Sequence, residues 1–143
     1  MSVELPFAPV DTIIRRNADD LRVSASAAEA LALAIQRRGA SLAVVAAERA
    51  RADGRKTLMP EDFDVERVPD REDLELPIAP VDRIARLDVE SHYRVSMDAR
   101  IALAGMLEAF ADEVAGAAAT LARHADRRTV IDEDIDTYLA LTE

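Results

Sequence analysis

Few residues in this sequence could carry catalytic chemistry. The chain has no cysteine, which excludes thiolate catalysis, disulfides and cysteine-ligated zinc. No pair of a nucleophile and its base is recognisable, and the four glycines are too scattered to form a phosphate-binding loop. We therefore predict a protein that is not an enzyme and that takes no cofactor and no small-molecule substrate.

Two groups of polar residues raise the question of a metal site. The acidic run from Asp132 to Asp136 could hold a divalent ion, but carboxylates also collect at the start of a helix because its dipole attracts them. His92 lies beside a tyrosine in a loop, and no second ligand is spaced to help it bind a metal. We predict that neither group holds a metal.

The composition points to a folded, acidic protein. The 143 residues are 50% hydrophobic, with 28 acidic and 18 basic side chains and a net charge of −10. This length fits one ordinary domain or two very small ones. Lys56 is the only lysine, which fits either work at very high salt or a GC-rich genome. Taken alone, the net charge argues against nucleic acid as a partner.

The sequence also indicates a compartment. No apolar run is long enough to span a membrane. Residues 1–10 lack the basic and apolar regions of a signal peptide. We therefore expect a cytoplasmic protein with no membrane partner.

The chain contains an internal repeat. Three motifs occur twice in the same order: ELPFAP at 4–9 and ELPIAP at 75–80, RVS at 22–24 and 94–96, and RKTLMPEDF at 55–63 and RRTVIDEDI at 127–135. The first pair is offset by 71 residues and the other two by 72, so one residue is inserted between them. Such a long period is typical of a duplicated small domain and not of a solenoid.

Each copy follows the plan short helix, long helix, short helix. Pro9 and Pro80 fit the first turn of the opening helices, and Ser24 and Ser96 fit the N-caps of the long ones. In the second copy, apolar residues recur every three or four positions from Met97 to Leu121, and a second apolar stripe lies on another face. This pattern predicts one helix of about 28 residues that is buried on two sides.

The repeat also predicts how the two copies combine. A final short helix is expected after each basic loop motif, with Pro60 at its first turn in the first copy. One copy alone cannot cover a helix that is apolar on two faces, so we predict that the copies clasp each other in one all-α core. The expected boundaries are a first half at 1–68, a linker at 69–74 and a second half at 75–143.

These repeated motifs resemble the archaeal histone family, in particular tandem (doublet) histones of the haloarchaeal type. The resemblance rests on ELPxAP before each opening helix, RVS before each long helix and R-[KR]-T-x-x-x-E-D after it. It implies two histone folds paired as a pseudo-dimer handshake. It also implies binding of double-stranded DNA largely without sequence specificity, for nucleoid organisation or global modulation of transcription.

The clasped arrangement indicates where DNA would bind. The first loop of one half should lie beside the second loop of the other, which places Arg22 near Thr129 and Arg94 near Thr57. The resemblance implies that each of these arginines enters the minor groove while threonine and a neighbouring basic residue contact phosphate. The implied DNA-binding residues are Arg15, Arg22, Lys56, Thr57, Arg83, Arg86, Arg94, Arg128 and Thr129.

Two further arginines are expected to support the loops. Arg55 and Arg127 each precede an aspartate by seven residues, Asp62 and Asp134 respectively. We expect these residues to pair and brace the loops without touching DNA.

The family pattern also suggests an interface between molecules. It assigns Leu121 and His124 to a four-helix contact that joins two histone pairs, with His124 bonded to the equivalent of Asp134 across it. The first half has Arg49 and Ala52 at the corresponding positions. We therefore predict a homo-oligomer that stops at a dimer of doublets, associated through the second half only.

Two other departures from the pattern argue against continuous chromatin. Thr12 stands where the second half keeps Arg83, which removes one phosphate contact. Ala18 and Val89 occupy the end of the first helix, where fibre-forming relatives usually have glycine.

The charge is divided unequally, which leaves an alternative function open. Residues 1–70 carry a net charge of −2 and residues 71–143 a net charge of −8. The acidic second half favours a histone-fold module, or a transcription regulator, that binds proteins and has lost DNA wrapping. Conversely, the basic residues recur at loop and first-helix positions, so the total charge does not exclude DNA.

Overall fold

The computed structural model describes residues 2–143. Within this range the helices are α1 (Phe7–Ala18), α2 (Ala25–Ala52), α3 (Ile78–Arg86), α4 (Met97–His124) and α5 (Asp132–Thr142). The strands are β1 (Arg22–Val23), β2 (Thr57–Leu58), β3 (Arg94–Val95) and β4 (Thr129–Val130). Short 3-10 turns span Pro60–Phe63 and Arg71–Asp73.

Local sequence sets the start of both long helices. Ser24 Oγ accepts a hydrogen bond from the backbone N–H of Ala27, and Ser96 Oγ accepts one from Ala99, both at 3.0 Å. Each bond satisfies an N–H group that the first turn of a helix leaves unpaired. The two N-caps and the 28-residue length of α4 confirm the sequence predictions.

The final helix of the first half begins at Pro60, as predicted, but it is much shorter than that of the second half. Pro60 opens only a four-residue 3-10 turn, whereas the second half has the 11-residue α5. Asp64 ends the turn in a left-handed conformation with φ 61°. Pro69 then restricts the residue before it to extended backbone, so little room is left for a longer helix.

The two halves contribute to the same core. α1 packs on α4, α3 packs on α2, and α5 contacts both long helices. β1 pairs in parallel with β4 and β2 with β3, so both strand pairs join the halves. Met97 is 46% exposed at the start of α4 and lies outside the core. Large, fully buried apolar side chains come from both halves: Ile13, Ile14, Leu31, Ile35, Leu58, Ile84, Leu103, Leu107 and Ile135.

One of the long helices has the length and apolar character of a membrane span. In Ala25–Ala52, however, 56% of the most apolar 18-residue window is buried inside the protein. Its apolar side chains pack against the other helices of the core. The same apolar content therefore serves helix packing.

The segment between the halves crosses α4. A Cβ atom added to Gly105 would lie 3.0 Å from Cγ of Pro69, so this glycine gives the linker room to approach the helix. Val68 and Leu74 are half-buried against the core. At the position 72 residues earlier, α2 carries Leu33 in the groove that it shares with α5. The linker thus packs on α4 at the position equivalent to the one where α5 packs on α2.

Candidate nucleic-acid interface

The first loop pair is built on strands β1 and β4. Arg22 lies opposite Thr129 in the parallel register, as the loop pairing predicts. The backbone N–H of Arg22 donates to the carbonyl oxygen of Arg128 at 2.8 Å. Two exposed arginine side chains and a half-buried threonine therefore share one edge of the molecule.

The second loop pair has the same construction on strands β2 and β3. Thr57 lies opposite Arg94, and the backbone N–H of Arg94 donates to the carbonyl oxygen of Lys56 at 2.8 Å. The side chains of Arg94 and Lys56 are exposed. Each loop pair thus offers a threonine, a strand arginine and a second basic residue.

An arginine–aspartate pair braces each loop. Arg55 donates to the two carboxylate oxygens of Asp62 at 2.8 and 2.7 Å, and Arg127 donates to those of Asp134 at 2.7 and 2.5 Å. Each aspartate also accepts the backbone N–H three residues before it. Because both carboxylates are only 2% exposed, these bonds fix the loop against the core.

The braces keep the buried aspartates charged. Burial raises the pKa of Asp62 and Asp134, but the hydrogen bonds from the arginine and the backbone, together with the arginine charge, outweigh it. The pKa of each carboxyl therefore lies below its ordinary value of 3.8. Both braces are ion pairs at neutral pH.

The loop cations differ from the first-helix arginines in their partners. Across residues 2–143, no ion pair within 4.0 Å involves any of the four loop cations, which are Arg22, Lys56, Arg94 and Arg128. The predicted first-helix arginines each have one. Their pairs and distances are Arg15 with Asp11 at 2.6 Å, Arg83 with Glu4 at 3.8 Å, and Arg86 with Asp82 at 3.1 Å. The loop side chains can bind a phosphate group without first breaking an ion pair.

The predicted interface residues lie at the end of α4 and on α5. His124 is exposed and Leu121 is half-buried. The buried Asp134 already binds Arg127, although its Oδ1 accepts only that one hydrogen bond and can accept another. Of these three residues, only His124 and Leu121 reach the surface.

The corresponding face of the first half is organised differently. Arg49 donates to the carbonyl oxygen of Asp62 at 2.9 Å and forms an ion pair with Asp64 at 2.9 Å. Its guanidinium is therefore tied to the short turn of its own half. The neighbouring Val45 is 44% exposed.

Sequence reasoning missed a polar cluster between α1 and α4. Arg16 binds Asp112 at 2.8 Å and Glu108 at 3.0 Å, and Asn17 donates to Asp112 at 2.8 Å. Burial raises the pKa of Asp112, but the hydrogen bonds from Arg16 and Asn17 lower it by more. The pKa of Asp112 therefore lies below its ordinary value. The sequence held one signal of this cluster, because the helical period places the carboxylate of Glu108 on a buried face of α4.

The acidic run at the start of α5 makes no metal-binding group. In the part of the chain that the structure describes, no three histidine, aspartate or glutamate side chains are placed to share an ion. Asp134 is committed to its brace, and Asp132 accepts a hydrogen bond from Ser26 at 3.2 Å.

Comparison with known proteins gives three findings. A family model described as histone-like transcription factor (CBF/NF-Y) and archaeal histone matches residues 3–65 and again residues 74–139. One of the subunits of archaeal histone HAN1 from Thermococcus zilligii is 52% identical over 61 residues, which are 43% of this chain and 88% of that protein. The crystal structure of the histone from Methanopyrus kandleri has a TM-score of 0.69 and 28% identity, and the alignment covers 92% of this chain and 90% of that chain.

Proposed function

The chain belongs to the family of histone-like transcription factors and archaeal histones, a non-enzymatic family whose fold implies DNA binding, and from this premise we propose that it binds double-stranded DNA largely without sequence specificity. Its role would be nucleoid organisation or global modulation of transcription. We place it in the cytoplasm, on the chromosome.

One observation carries this proposal. Two equivalent loop pairs each align a strand arginine with a threonine, Arg22 with Thr129 and Arg94 with Thr57. An arginine that enters a minor groove recognises its width and potential and needs no base-edge hydrogen bonds. Two such points on one fold would hold the duplex at two places.

The same proposal includes a tandem arrangement. We interpret residues 1–68 and 75–143 as two histone folds, joined by the linker 69–74 and paired as a handshake pseudo-dimer. The double match to the family model supports this interpretation. The parallel pairing of strands from different halves supports it as well.

The net charge of −10 limits how the protein holds DNA. Affinity from phosphate contacts falls steeply with salt, because those contacts release counterions. A protein with few cations that works at high salt, as we propose from its composition, depends more on minor-groove insertion. Binding should be local, without continuous wrapping.

Fluorescence anisotropy with a duplex of mixed sequence tests the proposal. The double variant Arg22→Ala, Arg94→Ala should lose at least about tenfold in affinity, since two inserted cations are removed. The variant Arg67→Ala, Arg71→Ala removes the same charge from two exposed positions in and next to the linker and serves as the control. Equal losses in the two variants, or no wild-type binding at low salt, would refute DNA binding through the loops.

We further propose that two molecules associate through their second halves, by way of Leu121, His124 and Asp134. In the first half, Arg49 takes the place of Leu121 and is held by its own short turn. Sedimentation of His124→Ala should show loss of the dimer of doublets, with Ala52→Ser, at the matched position, as the control. An unchanged mass for His124→Ala would exclude this interface.

A protein-binding module is the second candidate, and it is favoured by the net charge of −8 on residues 71–143. Genome-wide crosslinking separates the two. Broad chromosomal occupancy supports the DNA-binding proposal, whereas absence from DNA supports the module.

A further inference from the structure

The last turn of each long helix carries an arginine at equivalent positions. Arg51 is the second-last residue of α2, and Arg123, 72 residues later, is the second-last residue of α4. Arg123 Nη2 donates to the carbonyl oxygen of Ala18 at 3.0 Å and to Asp19 at 3.2 Å. This arginine therefore closes the C-terminus of α1 and is occupied within the molecule.

Arg51 has no equivalent contact. Its exposed guanidinium makes no side-chain hydrogen bond or ion pair with any residue of the described range 2–143. The two arginines share a residue type and a helix position, so the difference arises in the loop that faces them.

The facing loop differs because it has one inserted residue. Counted from the start of each opening helix, Glu90 takes the place of Asp19. Glu90 lies 3.4 Å from Nδ1 of His92 instead of reaching the arginine. α3 also ends at Arg86, a turn earlier than α1, so no helix end is presented to Arg51.

A cleft of about 370 Å³ opens at this place, beside the second loop pair. Its acidic member is Glu90, which faces His92. Arg55 belongs to the brace and is already bonded, which leaves the cations of Arg51 and Lys56. Its lining residues are Arg51, Gly54, Arg55, Lys56, Glu90, His92 and Tyr93.

We propose that Arg51 and Lys56 form a phosphate-binding cleft that contacts the DNA backbone at the second loop pair only. The inference rests on the proposed DNA-binding function. The planar guanidinium of Arg51 can donate two parallel hydrogen bonds to a phosphate group. The cleft adjoins the register of Thr57 with Arg94, so the bound phosphate would neighbour the minor groove that Arg94 enters. The two ends of the DNA surface are therefore unequal.

The salt dependence of DNA affinity tests this inference with a matched pair of variants. Each phosphate contact contributes about 0.9 to the slope of log affinity against log salt. Arg51→Ala should lower that slope by about this amount and reduce affinity about threefold more at 50 mM than at 200 mM salt. Arg51→Lys should keep the slope.

Arg123→Ala, at the equivalent position, is the control. It should leave the slope unchanged, because Arg123 is occupied by α1, and it should lower the melting temperature slightly. An unchanged slope for Arg51→Ala, or an equal decrease for Arg123→Ala, would overturn the inference while wild-type binding upheld the proposed function. Absence of wild-type binding would overturn both.

Discussion

The two halves hold their N-terminal segments with different side chains at the same helical position. In the first half, Gln36 accepts the backbone N–H of Glu4 at 2.8 Å. In the second half, Glu108 accepts the N–H groups of Glu75 and Leu76 at 2.7 and 3.0 Å. Both side chains are buried. Both halves thus use a buried acceptor at this position, which is uncharged in the first half and charged in the second.

The charged acceptor, Glu108, occurs in the half where an arginine of the other half lies within reach. Glu108 also binds Arg16 of α1, whereas the residue equivalent to Arg16 in the second half is the exposed Leu87, directly after α3. At the other crossing, Gly39 lets α3 approach α2 closely, since an added Cβ would lie 2.7 Å from Ile84. The crossing of α1 with α4 is therefore held by an ion-pair cluster, and the crossing of α3 with α2 by the close approach of the two helices.

Removal of the two buried acceptors should break this comparison most clearly. Glu108→Ala leaves two backbone N–H groups without an acceptor and removes one of the two carboxylates that bind Arg16, so we expect a loss of about 3 kcal/mol in the free energy of unfolding. Gln36→Ala should cost about 1 kcal/mol, because it removes uncharged hydrogen bonds only, one from the backbone N–H of Glu4 and one to the carbonyl oxygen of Ser2. Urea denaturation measures both, and equal losses would show that the charge contributes nothing.

The two loop braces should respond to acid in the same way. Because the folded pKa of Asp62 and Asp134 is depressed, each contributes stability above the unfolded pKa, and this is lost as pH falls through the folded value. Asp62→Asn and Asp134→Asn should each cost about 2 kcal/mol at pH 7 and much less near pH 2. Thermal melts at a series of pH values check this. A cost that does not change with pH would contradict the assignment of the braces as ion pairs.

The close approach at Gly39 can be tested by adding one methyl group. Gly39→Ala should destabilise by about 1 kcal/mol, since overlap with Ile84 and Leu107 outweighs the gain in helix propensity. Gly116→Ala is the control, because its nearest neighbour, Asn17, would lie 3.9 Å from the new Cβ. That variant should be slightly more stable, and a loss in both would mean that general helix effects and not the crossing are responsible.

The smallest expected effect concerns assembly. Arg49→Leu with Ala52→His gives the first half the residues of the second, and we expect weak association beyond a dimer of doublets. Sedimentation velocity over a range of concentrations would show larger species. Arg49→Leu alone serves as the control, and identical profiles for wild type and double variant would mean that other residues separate the two faces.

Several features followed from the sequence because their signals are local. The capping serines predicted the start of both long helices, and the apolar period predicted the length of α4. The repeated motifs predicted that Arg22 lies near Thr129, because in a clasped pair the first loop of one half lies beside the second loop of the other. The start of the final helix of the first half was predicted correctly, but its length of four residues was not predicted, since Pro60 marks a first turn and does not show how far a helix continues.

The sequence by itself determined the duplication, the all-α plan and the loop motifs that place the chain among histone-like proteins. Only the tertiary structure decided which cations remain unpaired. Arg51 and Arg123 look alike in the sequence, and their difference depends on contacts with a loop of the other half. Ion pairs between distant residues form only after the helices have packed, so a count of charges along the chain cannot reveal them.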